Sequence, residues 1–484
     1  MKKHVISRLF LYRYRFYIGY ILLALAFMNL IFLLPTISPD GLSSAELSSV
    51  TTSYNLHFSS VTSGDLVDLP YHLLQKFLLL IFGFSTYVIK LPSILVAVVL
   101  GLLLVLLLNR WFKSNVALLS SVLTVLSVPF LYLAGSGTPL IMLVFWPTFL
   151  LWLGSKIQGV KKPRPFYCLV FAIALLLSVF TPHMIYLDIF IVLYALANPH
   201  LRFTIKTLPR VPFILTSLVV LAGLGLLATN IISDPNVGLH LLTSENYESG
   251  HFLDNIKTSL GFFFSWGNAI EGVYLTPLIS IASLFLAFAG LFSTAKGFFA
   301  SRNAIASYLV VFTVILSGFS PDSALLIILP LAILTAHGLR YILEKWYGLF
   351  PENPYARVFG IFPIFIFISI MIISGLSHYI FGYRYTPVIA NEFNNDLDLV
   401  IENLDEDTTL LMKEDSIAYG FYECYEDRTH AISVGSKLSD VETPKLATFE
   451  NAYHPDNGWT LSRIITSSKT DNSGRIFVYT VTSN

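Results

Sequence analysis

The chain has 484 residues, 55% of them hydrophobic and 12% charged, with a formal net charge of zero. Its mean hydropathy is +0.69, whereas a soluble globular protein carries about 25% charged residues. A soluble fold is therefore excluded, no nucleic-acid partner is expected, and a polytopic membrane protein remains. The zero also hides a split. Residues 1–383 hold 22 Lys+Arg against 13 Asp+Glu, and residues 384–484 hold 8 against 17. Such an asymmetry argues for a basic membrane part followed by a small acidic domain.

The N-terminus has a basic start and an apolar run. No small-residue cleavage site stands at its end, where Leu34-Pro35-Thr36 is found, so an uncleaved first span is expected. A membrane helix needs about 20 apolar residues. Eleven stretches are candidates, several of them short: roughly 17–36, 90–109, 115–134, 138–155, 165–181, 183–198, 211–231, 273–293, 303–319, 323–339 and 358–380. With the N-terminus inside, the inner segments hold 19 basic residues, and the outer ones before the tail hold only Lys76, Lys90 and Lys257. Basic residues concentrate in cytoplasmic loops, which sets the orientation. An odd number of spans then places the acidic tail outside.

Two outer loops are long, 37–89 and 232–272, and ten of the thirteen carboxylates in residues 1–383 fall on the outer face. The apolar stretch from Tyr71 to Phe82 is too short to span and is expected to lie along the interface. Cys168 and Cys424 are too differently placed to meet. In the tail, residues 391–404 have helical spacing, and residues 409–412, 430–434 and 475–481 read as strands. The expected fold is a polytopic all-α membrane protein of about eleven transmembrane helices, with a small C-terminal α/β extracytoplasmic domain over 384–484.

Acids crowded at the outer surface suggest proton abstraction or cation binding. Asp40 and Glu46 follow the first span directly, and Asp68 is the obvious further acid, with Asp65 read as loop charge. The alternative for Asp40 is a cap on a helix over 43–56. Asp188, in the sixth span, is either a functional intramembrane acid or a partner of His183 or of a neighbouring helix. The outer cations Lys76, Lys90, Lys257, His251 and Arg384, with His183, are the groups available to a phosphate on this face, or else they snorkel to headgroups. Tyr419, Tyr422, Tyr425 and Trp459 in the tail either stack on sugars or fill a core. No P-loop, dinucleotide fingerprint, metal-spaced Cys/His set or nucleophile elbow is present in the sequence.

Several of these segments together resemble the GT-C fold membrane glycosyltransferases, nearest to the protein O-mannosyltransferase and aminoarabinose transferase group. In that family a P-D-E-x-x-Y-A-E pattern follows the first span, and here Pro39-Asp40-Gly41-Leu42-Ser43-Ser44-Ala45-Glu46 stands in its place. An acid with prolines and aromatics comes next, here Asp68-Leu69-Pro70-Tyr71-His72. A G-x-s-x-x-x-x-R-L-P-S run then matches Gly83 to Ser93, ending Lys90-Leu91-Pro92-Ser93. A T-P-D turn is matched by Thr138-Pro139-Leu140, and Ile328 to Ala336 is similar to the family's penultimate span.

The resemblance implies transfer of a sugar from a polyprenyl-phosphate donor to a hydroxyl of a lipid, glycan or protein acceptor at the outer face. Asp40 would be the base, with Glu46 and Asp68 orienting the acceptor. Asp40 and Asp68 are also the candidates to hold a divalent cation (Mg or Mn). Tyr71, His72, Lys76, His183, Lys257 and Arg384 would contact substrate or phosphate. The chain departs from the pattern at Gly41, Ser44 and Leu140, which removes an acid that assists the family's site. Competing readings are a lipid or glycan transporter, or an inactive scaffold. The implied location is a multi-pass cell membrane, of the prokaryotic cytoplasmic kind, with the site and tail outside.

Overall fold

The structure is a computed structural model. It describes residues 10–33, 37, 41–56, 66–158, 165–197, 199–206, 210–243, 251–265, 269–270, 274–275, 277–295, 301–349, 354–359, 361–393, 397–437, 441, 443–449, 458–466 and 475–481. Helix α1 (Phe10–Met28) runs into a short π-helical turn. The first long loop then builds α2 (Ser44–Asn55) and α3 (Leu69–Phe82). The membrane part continues through α4 (Thr86–Trp111), α5 (Ser114–Val125), α6 (Val128–Gly135), α7 (Met142–Gln158), α8 (Pro165–Ser178) and α9 (Met184–Ala197). Next come α10 (Pro199–Lys206), α11 (Arg210–Ser233), α12 (Pro235–Thr243), α13 (Phe252–Phe264), a hairpin of β1 (Ala269–Ile270) and β2 (Tyr274–Leu275), α14 (Ile281–Ala295) and α15 (Ser301–Leu316). Helices α16 (Ile328–Leu349), α17 (Pro354–Phe359) and α18 (Ile361–Tyr385) complete it.

The protein is a polytopic α-helical membrane protein. Among the described residues four helices are long and apolar enough to cross a bilayer, or up to six if each of two bent pairs is one span. The bends are 60° between α5 and α6 and 112° between α11 and α12. Shorter apolar helices cover 17–33, 165–178, 184–194, 281–295 and 305–316. Side chains cannot gain from burial against lipid tails, so tight packing in the bilayer depends on close backbone approach at small residues. Helices α14 and α16 show this. A Cβ on Gly290 would stand 2.0 Å from the Leu334 carbonyl oxygen, and one on Gly338 2.1 Å from that of Leu286. Of α3, Tyr71, Gln75, Leu78 and Leu79 are buried, while Phe77, Leu80, Ile81 and Phe82 are exposed.

The tail adds α19 (Pro387–Glu392), α20 (Leu397–Asn403), β3 (Thr408–Leu411), α21 (Ile417–Thr429), β4 (Ser433–Gly435), β5 (Lys445–Thr448), β6 (Trp459–Ile465) and β7 (Ile476–Val481). Its sheet has the order β4-β3-β5-β7-β6. Strand β3 is parallel to β4 and β5, and β7 is antiparallel to β5 and β6. Strands β3, β4 and β7 lie where alternation and β-branched residues place them. Strand β6 was not legible, because most of its residues are exposed and no buried face marks it.

The tail does not keep its core to itself. Leu42, Leu47 and Val50 of the first loop, with Leu78, Leu79 and Phe84, form one apolar cluster with Val400, Phe421 and Tyr425. The Phe84 ring meets those of Phe421 and Tyr425 edge-on at 6.1 and 5.9 Å. Polar ties rim it: Tyr54 donates to Asp427 at 2.5 Å and Ser44 to Glu392 at 2.7 Å. Burial and the Asp427 carboxylate push the Tyr54 phenol up to about 12. The sugar-stacking alternative fails for Tyr422 and Tyr425, which are buried core rings, while Tyr419 and Trp459 are half-buried.

Candidate active site

The first long loop is tied down by a buried polar knot. Ser43 caps α2, its hydroxyl accepting from the Glu46 amide, and Glu46 reciprocates by accepting from the Ser43 amide at 2.8 Å. This reciprocal pair satisfies amides that a helix start leaves open. The other Glu46 oxygen accepts from the Gly137 amide at 2.6 Å, and the residue is fully buried. Two expectations are corrected here. The cap of this helix is Ser43 rather than Asp40, and Glu46 spends both oxygens on backbone amides instead of facing substrate. Gly137 is required by close approach, since a Cβ would lie 3.0 Å from the Ile89 carbonyl oxygen.

Around this pair, Lys90 is fully buried and donates to the Gly41 carbonyl at 2.9 Å. Gly41 has φ +96°, a conformation natural to glycine and strained for the glutamate of the related pattern. Gln75 accepts from Ser49 at 2.9 Å and Ser53 at 2.6 Å, and donates to the carbonyls of Ile89 and Gly137 at 3.4 and 3.3 Å. Three further expectations change for the same reason. His72 is bonded through Nδ1 to Ser53 at 2.7 Å. The Tyr71 hydroxyl meets that of Ser93 at 2.8 Å, and Ser93 donates on to the Thr138 carbonyl. Lys76 donates to the Tyr54 and Leu56 carbonyls at the end of α2, where a cation complements the helix dipole. Tyr71, His72 and Lys76 therefore brace the loop. Leu140, in place of the related acid, packs half-buried against the main core. Asp40, Asp65, Glu245, Glu248 and Glu271 lie outside the described residues.

A second junction joins three segments. Asp68 opens α3 with φ +53°, is 8% exposed, and donates its amide to the Phe180 carbonyl at 2.7 Å. Three residues beyond Phe180, in the turn before α9, His183 has φ +64° and is 2% exposed. A left-handed conformation costs a residue with a Cβ about 1–2 kcal/mol, so two of the expected site residues sit in strained backbone on adjoining turns. The His183 amide donates to the Leu241 carbonyl at 2.9 Å, and its Nδ1 lies 3.2 Å from the Leu242 carbonyl oxygen. Burial pushes the imidazole down to about 4, against a smaller opposing pull from that carbonyl. Leu66, Val179, Phe180, Val237 and Leu241 form the apolar floor. Asp188 is not paired with His183; it accepts from Ser178 of α8 at 2.9 Å.

Lys257 on α13 and Arg384 in the last turn of α18 are exposed, the guanidinium lying 5.8 Å from the Tyr385 ring centre. Among the described residues no group of three or more His, Cys, Asp or Glu side chains is placed to hold a metal ion. The expectations missed two features. Gln75 was signalled by its polarity within an apolar run. The buried rings of Tyr132, Tyr379 and Tyr383, with centres 5.7 and 4.9 Å apart, were masked by the apolar spans that carry them.

Comparison with known proteins agrees with this architecture. Residues 70–227 match the dolichyl-phosphate-mannose-protein mannosyltransferase family. The fold is similar to that of ArnT from Cupriavidus metallidurans in the apo state, with TM-score 0.55, 12% identity, and 95% of this chain and 97% of that one covered. It is also similar to the oligosaccharyltransferase AglB from Archaeoglobus fulgidus in complex with an inhibitory peptide and a dolichol-phosphate. There the TM-score is 0.52 and the identity 14%, with 90% of this chain and 70% of that one covered. No curated protein sequence matches the chain.

Proposed function

We propose that this chain, whose fold is that of the GT-C membrane glycosyltransferases of the ArnT and protein O-mannosyltransferase type, transfers a sugar from a polyprenyl-phosphate donor. The acceptor is a hydroxyl of a lipid, glycan or protein at the outer face of a cell membrane, and the tail is extracytoplasmic. The acceptor oxygen attacks the anomeric carbon, the bond from that carbon to the phosphate oxygen breaks, and polyprenyl phosphate leaves with the electron pair. A hydroxyl is a poor nucleophile, so a carboxylate takes its proton. Asp40 is assigned that role and Asp68 orients the acceptor. Phosphate contact passes to Lys257 and Arg384, because Tyr71, His72 and Lys76 are already committed within the protein.

The observation that carries this reading is the rigidity of the backbone that follows Asp40. Gly41 is held by buried Lys90, and Glu46 five residues on is held by the turn at Gly137. A base must be positioned before it can act, and orientation of reacting groups is worth several kcal/mol. The match of residues 70–227 and the dolichol-phosphate complex of the archaeal neighbour support the choice of donor class.

The test is release of polyprenyl phosphate from labelled sugar lipids by purified wild type and Asp40→Asn. Turnover that falls at least about 100-fold in folded Asp40→Asn is the expected result, the lower range for loss of a general base. Equal turnover moves the base to Asp68, and no wild-type turnover across a broad donor and acceptor panel overturns the reading.

A further inference from the structure

Lys90 and Gly137 place the first junction at the starts of α4 and α7. The far ends of these two helices are built differently. Both helices are long and apolar enough to cross a bilayer. Arg110, near the end of the 26-residue α4, lies about 35 Å along the helix from its start, and so at the opposite membrane surface. Leu95, Val99, Leu102 and Leu106 form an exposed stripe on α4, and Arg110 continues it by one more turn. Helix α7 carries a half-buried stripe that runs the same way. Its Phe145 and Phe149 rings stack at 5.7 Å, those of Phe149 and Trp152 at 6.1 Å, and the Lys156 ammonium lies 5.6 Å from the Trp152 ring centre. The two stripes meet at their basic ends, where the Arg110 guanidinium donates to the Ser155 carbonyl at 3.0 Å. Lys113, three residues beyond Arg110, is exposed at the same end.

Charge here is one-sided. Between Asp68 and Asp188 the chain has no carboxylate at all. Among the described residues the ion pairs lie elsewhere, and Glu344 of α16 is committed to Arg340 at 2.8 Å. Most donors of the Arg110 guanidinium and those of the Lys156 ammonium therefore remain for a ligand. We propose that this end of α4 and α7 holds a phospholipid of net negative charge. Its phosphodiester oxygens accept from Arg110 and Lys156, and an acyl chain lies along the leucine and aromatic stripes. Apolar faces alone would take any lipid tail, so it is the cations that choose the headgroup. A zwitterionic lipid brings its own ammonium, which competes with them. From Leu95 to Arg110 the stripe is about 22 Å long, enough for a chain that crosses half of the roughly 30 Å hydrocarbon core.

The proposal does not depend on the transferase reading, and its test needs no turnover. Trp152 is the reporter. Purified full-length protein in neutral detergent is titrated with brominated-chain phosphatidylglycerol or brominated-chain phosphatidylcholine, and tryptophan quenching is followed. Trp152→Phe, measured alongside, gives the Trp152 signal by difference. The expected result is half-quenching of Trp152 at a phosphatidylglycerol fraction at least about fivefold lower than for phosphatidylcholine, the worth of one cation beside an anionic headgroup. The preference should weaken in about 0.5 M salt. The double variant Arg110→Gln, Lys156→Gln should lose it, while Arg340→Gln should keep it. Equal quenching by the two lipids in the wild type makes the stripes ordinary bilayer contact and overturns the proposal. No quenching of Trp152 by either lipid means that protein, for example a second copy of this chain, covers the stripes, and overturns it as well. A preference retained in the double variant moves the headgroup away from these cations and has the same consequence. The wild-type comparison and its salt dependence decide the matter even where the double variant fails to fold.

Discussion

The two junctions around the first long loop are built from similar residues but hold their backbone differently. At the first, Glu46, Gln75, Lys90 and His72 are buried with their polar atoms paired to amides, carbonyls and hydroxyls of other segments. At the second, Asp68 and His183 are also buried, yet both stand in left-handed backbone, their amides tied to the carbonyls of Phe180 and Leu241. Burial of a polar side chain therefore says little about its role.

The contrast is open to direct attack, starting with Glu46. Glu46→Ala strands the Ser43 and Gly137 amides, at roughly 1–3 kcal/mol each, and is expected to lower the melting temperature in detergent sharply. A variant that melts with the wild type but has lost turnover would return Glu46 to the substrate. Gln75→Leu comes next. It fills a similar volume but leaves the Ser49 and Ser53 hydroxyls without their acceptor, and a loss of about 1–3 kcal/mol is expected. Denaturation followed by tryptophan fluorescence checks it, and an unchanged midpoint would show that the knot is dispensable. The smallest effect is expected for Lys76→Met, which keeps the aliphatic stem but removes the charge from the end of α2. About 0.3–1 kcal/mol of stability should go, with KM for the donor lipid unchanged. A raised KM with normal melting would instead restore Lys76 as a phosphate ligand.

Part of the first junction was legible in the sequence. Ser43-x-x-Glu46 is the spacing of a capping box, and Gly137 stands in a polar turn between apolar runs. The bond that joins them was not legible, since Glu46 and Gly137 are 91 residues apart. The left-handed φ of His183 was equally hidden, because Thr181-Pro182-His183 reads as an ordinary turn, and its conformation follows from bonds to Leu241 and Leu242 on α12. The tail shows the same limit. Strand β7 announces itself by its β-branched and aromatic residues, whereas the docking of α21 on α2 needs Phe84, Phe421 and Tyr425 to meet across more than 330 residues.

What the sequence determined by itself is the membrane character of the chain, most of its apolar helices and three tail strands. These follow from stretch length, charge and periodicity, which are properties of neighbouring residues. The tertiary structure decided which acids and cations are spent within the protein, which backbone is held against its preference, and that the tail shares its core with the first loop. Those outcomes depend on which distant donors and acceptors are brought within about 3 Å of one another, and that distance is set by how the helices pack rather than by local pattern.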